Sequence, residues 1–318
     1  MKPPSFDYVA PRTVPEVLEA LADPRPDVRV LAGGQSLILE MHLERIRPDL
    51  VVDINQVPGL DRLDVSGGGS GGSGGGSGGS GAGSGGSVEI GALVRHGAFE
   101  STTAVPGPLG TLFSLAVDNI AHPPIRNRGT MVGSLAWAHP ASEWCAVAVA
   151  LDATIALRGP EGPREVPASD WFLGTFKTAR RPGELITAVR FPLLGADTGV
   201  GFIEHRRTHF CFAMVAVAAA LTIRDGVVEE ARIGLVNCGD RPLRARNAER
   251  ALTGAPVGSL GSGYRLPERH PFVRAGRIAA EDDADPIAGP YADLEYLRHA
   301  IAVVVGRTLR QAAEGVSR

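Results

Sequence analysis

Residues 32–37 read Ala32-Gly33-Gly34-Gln35-Ser36-Leu37, and residues 126–134 read Arg126-Asn127-Arg128-Gly129-Thr130-Met131-Val132-Gly133-Ser134. The first stretch lies between an apolar run at 28–31, predicted to be a strand, and a predicted helix at 36–43. Glycine backbone can turn its N–H groups into a concavity that no Cβ fills, and a following helix start adds partial positive charge. Each stretch therefore predicts a loop that receives an anionic group. The pair predicts one cofactor diphosphate held from two sides.

Either loop taken alone is also compatible with a simpler structure. The first could be a plain strand-to-helix turn, and the second an ordinary surface turn with an exposed carboxylate at Glu143. Neither loop has the G-x-G-x-x-G pattern, and no lysine follows a glycine loop, which excludes a Walker A site. The second loop adds polar atoms from Asn127, Thr130 and Ser134. Beyond it, Glu143 could accept hydrogen bonds from sugar or ribityl hydroxyls.

Composition limits the possible functions. The chain has 318 residues, 44% of them apolar and 21% charged, with a net charge of −3. This length allows two or three domains with full cores, and the charge predicts no nucleic-acid partner. The longest apolar stretch, 213–221, is far shorter than the roughly 20 residues of a membrane-spanning helix, and the N-terminus does not resemble a signal peptide. Three scattered cysteines without a C-x-x-C pair predict no metal site in this chain and fit a reducing cytoplasm.

A low-complexity segment at 66–87 consists of Gly, Ser and one Ala. It has no apolar side chains to bury, so we expect it to be disordered. The flanking residues 60–65 and 88–92 both have the pattern of strands. The segment is therefore predicted to be an oversized hairpin loop rather than a domain linker.

The remaining pattern predicts an N-terminal α/β domain, 1–195, followed by a C-terminal α+β domain, 196–318. Further helices are expected at 14–22, 111–117, 145–151, 247–252 and 294–313, of which 145–151 is apolar enough to be buried. Further strands are expected at 51–54, 154–157, 184–191, 213–223 and 227–236, the last two joined by an Asp225-Gly226 turn. Residues 258–288 are rich in Gly, Pro and charge, and are predicted to be loop.

Taken together, the two loops resemble those of the FAD-binding medium subunits of the molybdenum hydroxylases, the family that includes carbon monoxide dehydrogenase and xanthine dehydrogenase. That family has an A-G-G-x-S-L loop and an I-R-N-x-x-T-I-G-G-S/N loop that runs on to D-P-x-x-D/E. Here these motifs are found at 32–37, 125–134 and 140–143. The resemblance continues in chain order through 170–178, 182–186, 202–204, Arg207, 212–213, 248–254 and 295–299. It covers nearly the whole chain apart from the Gly/Ser segment.

The resemblance implies a fold class and a role. The implied fold is α+β, with a two-lobed FAD-binding domain of the PCMH (vanillyl-alcohol-oxidase-like) type and a C-terminal domain of the CO dehydrogenase flavoprotein type. The implied role is that of an FAD-dependent oxidoreductase subunit that relays electrons. A small partner subunit would carry [2Fe–2S] clusters and a large one the molybdenum cofactor, in a cytoplasmic dimer of heterotrimers. Electrons would pass from the clusters through FAD to an external acceptor.

The resemblance also implies the residues that contact FAD, while catalytic residues and metal ligands are not expected in this chain. Leu185 would pack near the flavin ring, Glu143 would face sugar or ribityl hydroxyls, and Arg207 could stabilise reduced, anionic flavin or form an ordinary surface ion pair. The full predicted set is Ala32, Gly33, Gly34, Gln35, Ser36, Leu37, Asn127, Thr130, Gly133, Ser134, Glu143, Leu185 and Arg207. His96, His122 and His205 have no ligand spacing and are expected to be solvated or core residues.

Three positions depart from the family pattern. Val132 replaces the first glycine of the G-G pair, His139 replaces the aspartate before the proline, and Cys211 replaces the aspartate before Phe212. The Val132 side chain would crowd the backbone beside the diphosphate. Val132 therefore keeps open the alternative of a scaffold subunit whose flavin site has degenerated. A stand-alone FAD-dependent oxidoreductase also stays open, because the lack of iron–sulfur cysteine spacing in this chain does not exclude it.

Overall fold

The computed structural model describes residues 4–67, 85–208, 211–261 and 266–316. The N-terminal lobe consists of β1 (Asp7–Val9), α1 (Val14–Leu21), β2 (Val28–Leu31), α2 (Leu37–His42) and β3 (Leu50–Asp53). Its three strands form a parallel sheet in the order β1-β3-β2. Thr13 caps α1 by accepting a hydrogen bond from the Glu16 N–H, and Val17 and Leu21 bury the inner side of that helix. The predicted alternation of strands and helices is confirmed here to within one or two residues.

The second lobe is built on an antiparallel sheet. Its strands are β4 (Leu63–Ser66), β5 (Ser87–Gly91), β6 (Thr154–Gly159), β7 (Gly162–Pro167), β8 (Phe172–Gly174), β9 (Lys177–Thr178) and β10 (Leu185–Pro192). Five of them pair in the order β4-β5-β10-β6-β7, while β8 and β9 pair only with each other. The helices of the lobe are α3 (Gly107–Val117), α4 (Pro123–Arg126), α5 (Met131–Trp137), α6 (Glu143–Ala150) and α7 (Ala168–Trp171).

Strands β4 and β5 flank the Gly/Ser segment and form the expected antiparallel hairpin. Their ladder extends to the pair Ser66 and Ser87, and the Ser66 hydroxyl lies 3.0 Å from that of Ser87. The segment expected to be disordered was thus given bounds that are too wide, because its first and last serines are held in the sheet. The expectation of disorder for 68–84 lies outside the described residues.

Helix α6 lies at the centre of the molecule, and all eight of its residues are buried. It packs against the C-terminal domain so closely that a Cβ added to Gly234 would lie 2.4 Å from the Ala146 carbonyl oxygen. The predicted buried helix is confirmed. An apolar helix of this kind is stable only when every face meets other protein groups.

The C-terminal domain contains β11 (Thr198–His205), β12 (Val215–Arg224), β13 (Val227–Val236), β14 (Leu243–Arg244), α8 (Arg246–Leu252), α9 (Pro271–Ile278) and α10 (Leu294–Val316). The strands form one antiparallel sheet in that order. Asp225 and Gly226 both have positive φ in the tight turn between β12 and β13, as expected from their sequence.

The expectation that 258–288 is loop is wrong over part of its length. Helix α9 is followed there by a π-helical turn, Ala279–Asp283. His270 caps α9 by accepting a hydrogen bond from the Phe272 N–H, while Phe272 and Ala275 are buried against α10. The apolar spacing of this short helix was obscured by the Gly, Pro and charged residues around it.

Three apolar cores organise the described part of the chain. The largest joins both N-terminal lobes to one face of the C-terminal sheet, and the second lies between the other face of that sheet and helices α8, α9 and α10. A small third core of Leu37, Met41 and Val51 lies within the N-terminal lobe. Within the described part of the chain, no helix combines the length and the apolarity needed to span a bilayer.

Candidate functional site

An open cleft lies between the two N-terminal lobes. One wall is β2 with the loop that leads into α2, and the facing wall is the first turn of α5. The first residues of β10 lie at one end of the cleft. Of the predicted residues, those that line this cleft are Ala32, Gly33, Gly34, Gln35, Ser36, Leu37, Thr130, Gly133, Ser134 and Leu185.

The two glycine loops touch each other at Gly33. A Cβ added there would lie 2.3 Å from the Arg128 carbonyl oxygen and 2.7 Å from the Gly129 Cα. Both neighbouring atoms belong to backbone, so no side-chain rotation could make room. The next residue, Gly34, has a φ of +76°, which L side chains rarely adopt. The two glycines thus serve different needs, close approach and turn geometry.

The second loop is held by a capping hydrogen bond and by a buried histidine. The Thr130 hydroxyl accepts a 3.0 Å hydrogen bond from the Gly133 N–H at the start of α5. The backbone N–H of His96 donates a 2.9 Å hydrogen bond to the Gly129 carbonyl oxygen. Burial lowers the pKa of His96 to about 4, and its Nδ1 accepts a 3.0 Å hydrogen bond from the Trp144 indole N–H. His96 is therefore a neutral core histidine that also lines the cleft.

A chain of hydrogen bonds outside the cleft fixes the spacing of the loops. The Asn55 side-chain amide donates to the Ala32 carbonyl oxygen at 2.8 Å. The Arg95 guanidinium donates both to Asn55 Oδ1 and to the Arg128 carbonyl oxygen, each at 2.6 Å. Arg95 therefore joins the backbone of the first loop to that of the second without lining the cleft.

The charged side chains that line the cleft give it positive character. Glu184 is neutralised by Arg164, whose guanidinium nitrogens lie 2.7 Å from each carboxylate oxygen. Arg29 forms an ion pair with Asp27. Arg180 donates a hydrogen bond to the Glu184 carbonyl oxygen at 3.0 Å, and its pKa is lowered by desolvation and by the charge of Arg29. Arg180 is exposed in the cleft, where its guanidinium is accessible to an anionic ligand.

Val132 and Leu185 are two of the apolar residues that line the cleft. Val132 occupies the second position of α5, is buried, and packs within the larger core while also lining the cleft. Leu185 begins β10 and is buried as well. The valine that departs from the expected glycine thus contributes both to the core and to the wall of the site.

Three of the predicted site residues lie away from this cleft. The side-chain oxygen of Asn127 lies beside Gly97, on the outer side of the second loop. The Arg207 guanidinium lies 4.0 Å from the centre of the Tyr291 ring, in a cation–π contact. Glu143 begins α6 and is buried at the junction with the C-terminal domain. The roles expected for these three residues stay predictions.

Glu143 belongs to a buried cluster with Glu204 and Arg206. Burial, together with the charge of Glu204, raises the pKa of Glu143 to about 8, and burial raises the pKa of Glu204 to about 7. Neither carboxylate oxygen of Glu204 has a hydrogen-bond partner, and the nearest Arg206 nitrogen is 3.7 Å away. Arg206 donates instead to the Asn119 side chain at 2.8 Å. At neutral pH at least one of the two carboxyl groups is therefore expected to be protonated.

Sequence reasoning missed Arg29, His96, Trp137 and Arg180 as residues that line the cleft. None of them lies in a glycine motif, and each is brought to the cleft by tertiary packing. For Arg29 a signal did exist, since it lies in the strand that leads into the first glycine loop. The other three gave no local pattern that could have been used.

Known protein families match both parts of this chain. The family described as the FAD binding domain in molybdopterin dehydrogenase matches residues 4–73 and 80–194. The family described as the CO dehydrogenase flavoprotein C-terminal domain matches residues 202–261. The alpha subunit of the 6-hydroxypseudooxynicotine dehydrogenase complex of Paenarthrobacter nicotinovorans is 34% identical over 98% of this chain and 96% of its own.

Solved structures show the same fold. A carbon monoxide dehydrogenase chain from Hydrogenophaga pseudoflava matches with a TM-score of 0.84 and 30% identity, covering 99% of each chain. A chain of quinoline 2-oxidoreductase from Pseudomonas putida 86 also matches with a TM-score of 0.84, at 28% identity and 100% coverage of each chain. The fold class expected from the sequence is confirmed.

Proposed function

We propose, from the premise that this chain belongs to the FAD-binding medium subunits of the molybdenum hydroxylase family, that it relays electrons through an FAD held between its two glycine loops. The electrons would come from [2Fe–2S] clusters on a small partner subunit and leave to an external acceptor. FAD supplies the redox chemistry, because its ring accepts electrons and returns them. The protein supplies binding, position and electrostatics.

The contact at Gly33 is the observation that carries this proposal. Because Gly33 lies against Arg128 and Gly129, the two loops form a single cradle whose backbone an anionic group can approach closely. Arg180 adds positive charge to the cleft, which suits a diphosphate. The residues present therefore fit FAD. We assign the diphosphate to Gly33–Ser36 and Thr130–Ser134, and the apolar part of the cofactor to the side of the cleft where Leu185 lies.

The partners and the compartment are part of the same proposal. Membership in this family of medium subunits supports assembly with a small [2Fe–2S] chain and a large molybdenum chain. We propose that the assembly is a dimer of heterotrimers. The thiols of Cys145, Cys211 and Cys238 are all unpaired, which supports a reducing compartment such as the cytoplasm. We also propose that the boundary between the N-terminal and C-terminal domains lies between residues 195 and 196.

The test begins with the chain purified under native conditions from its source cells. We expect about one FAD per chain by absorbance after denaturation, with iron and molybdenum in the same fraction. The isolated chain is expected to oxidise no small-molecule substrate by itself. A colourless chain that does not take up added FAD would contradict the proposal, whereas substrate turnover by the isolated chain would favour a stand-alone enzyme.

Val132 provides a direct test of the degenerate-site alternative. Because Val132 is buried in the core, Val132→Gly is expected to lower the free energy of unfolding by about 2–4 kcal/mol, from lost apolar burial and the weak helix propensity of glycine. Because Val132 is only 3% exposed, it offers little surface to the cofactor, and the FAD dissociation constant of the apo-chain is expected to change less than about threefold, measured by quenching of FAD fluorescence. A large gain in FAD affinity would instead show that Val132 obstructs the site.

Arg95 is predicted to act on FAD binding through backbone position alone. Arg95→Met removes the hydrogen bonds that join Asn55 to Arg128, so the loops lose their fixed spacing. We expect the FAD dissociation constant to rise about tenfold, or about 1.4 kcal/mol. Arg47→Met is the matched control, because Arg47 forms an exposed ion pair with Glu44. Equal FAD affinity in both variants would rule out the positioning role.

A further inference from the structure

Glu204 is a buried carboxylate whose oxygens meet no hydrogen-bond donor within the described part of the chain. Its side chain, near the end of β11, is only 1% exposed. The Arg206 guanidinium stays 3.7 Å away and donates instead to the Asn119 side chain at 2.8 Å. A carboxylate that is taken out of water without a donor costs free energy. Glu204 therefore does not stabilise the isolated chain.

Glu249 shows how the same domain treats another buried carboxylate. It is 7% exposed, and Arg244 Nε donates to its two oxygens at 2.8 and 3.1 Å. The Ile233 N–H donates to the same carboxylate at 2.7 Å. Both glutamates are buried, but only Glu249 receives its donors from the fold. The donors that Glu204 lacks are therefore expected from a group outside the chain.

Glu143 and Glu204 form an acidic pair beside the wall of the cofactor cleft. Burial and the charge of Glu204 both raise the pKa of Glu143, which begins α6. Two residues further on, the Cys145 thiol donates a 3.4 Å hydrogen bond to the carbonyl oxygen of Ser134, a residue that lines the cleft. The first turn of α6 is thus attached to α5, the helix that we assign to the diphosphate. The acidic pair therefore lies next to that part of the cofactor.

We infer that Glu204, together with Glu143, accepts hydrogen bonds from the ribityl hydroxyls of FAD, an inference that rests on the proposed function. The ribityl chain begins at the diphosphate, and its hydroxyls are neutral donors that a carboxylate binds strongly. A metal ion suits the pair less well, because the Arg206 cation is 3.7 Å away and no three His, Cys, Asp or Glu side chains are grouped to hold a metal among the described residues. In this arrangement the ring that packs beside Leu185 is adenine, not the flavin ring that the resemblance implies there.

The experiment titrates the full-length apo-chain with FAD and then displaces FAD with ADP, which has the adenosine and the diphosphate but no ribityl chain. Glu204→Gln keeps one oxygen as an acceptor, and Glu204→Leu keeps none. Glu249→Gln is the matched control, because that carboxylate is also buried but is already hydrogen-bonded. FAD fluorescence follows both the binding and the displacement, and the melting temperature of each apo-chain is measured alongside.

We expect the FAD dissociation constant to rise about tenfold in Glu204→Gln and at least about fiftyfold in Glu204→Leu, the range that hydrogen bonds to a charged group support. The ADP dissociation constant should stay within about twofold of that of the unmodified chain in both variants. Their melting temperatures should not fall, because the substituted group has no partner in the isolated chain. Glu249→Gln should bind FAD and ADP as the unmodified chain does.

Unchanged FAD affinity in Glu204→Leu would overturn the inference while leaving the proposed function intact. Equal losses of FAD and ADP affinity would overturn it as well, since the substitution would then act on the diphosphate loops or on the fold. A lower melting temperature in both Glu204 variants would have the same consequence, because Glu204 would then stabilise the isolated chain. Failure of the unmodified chain to bind FAD would instead contradict the proposed function itself.

Discussion

Replacing Gly33 with alanine is expected to weaken FAD binding about 100-fold, equivalent to about 2.7 kcal/mol. The added methyl group would lie 2.3 Å from the Arg128 carbonyl oxygen and 2.7 Å from the Gly129 Cα, well inside van der Waals contact. One of the two loops must move away, and the groups that face the diphosphate then no longer converge. The dissociation constant is measured by titrating the apo-chain with FAD and following its fluorescence.

The matched control for this prediction is Gly289→Ala. Nothing lies within 4 Å of a Cβ at Gly289, so the same chemical change there should leave FAD affinity unchanged. Circular dichroism of the apo-chain separates loss of binding from loss of fold. If Gly33→Ala binds FAD as tightly as Gly289→Ala does, the contact between the two loops is not what forms the site.

The second large effect concerns the buried carboxyl groups of Glu143 and Glu204. The folded chain raises the pKa of Glu143 from 4.5 to about 8 and that of Glu204 from 4.5 to about 7. Between pH 4.5 and these raised pKa values, the folded chain holds protons that the unfolded chain has released. Stability is therefore fully present below about pH 4.5 and is lost as the pH rises through 7 and 8. Each proton held only by the folded state corresponds to a slope of about 1.4 kcal/mol per pH unit.

Glu143→Gln should remove most of this dependence, because the amide has the shape of the acid but no charge. We expect the apo-chain variant to match the unmodified chain near pH 5 and to exceed it by about 2 kcal/mol or more at pH 8.5. Urea unfolding at pH 5, 7 and 8.5 measures the difference. Glu161→Gln, at an 88% exposed side chain, serves as the control. Parallel pH curves for all three proteins would contradict the buried-acid interpretation.

The parts of the fold and of the site that were predictable from sequence are those determined by local backbone chemistry. The first glycine loop lies between a strand and a helix as expected, and Asp225-Gly226 makes the expected tight turn. Each of these needs only a few consecutive residues. Their positions could therefore be recognised before the fold was known.

The remaining parts depend on contacts between distant segments. Arg180 lines the cleft because β10 brings the preceding loop to the end of β2, and Arg95 joins segments more than thirty residues apart. Glu143 illustrates the opposite case. The motif identified it as the last residue of the second loop, whereas in the structure it begins α6 and its side chain is buried beside Glu204 by the packing of the C-terminal domain.

The pairing of Ser66 with Ser87 has a practical consequence for handling this protein. Since the sheet itself holds the two ends together, the residues between them can be exchanged for an affinity tag or a reporter group without altering strand register. Doubling the length of such a loop adds only about 0.6 kcal/mol of closure entropy. The hairpin is therefore a suitable attachment point for immobilising the assembled complex. Both termini of this chain would then stay free.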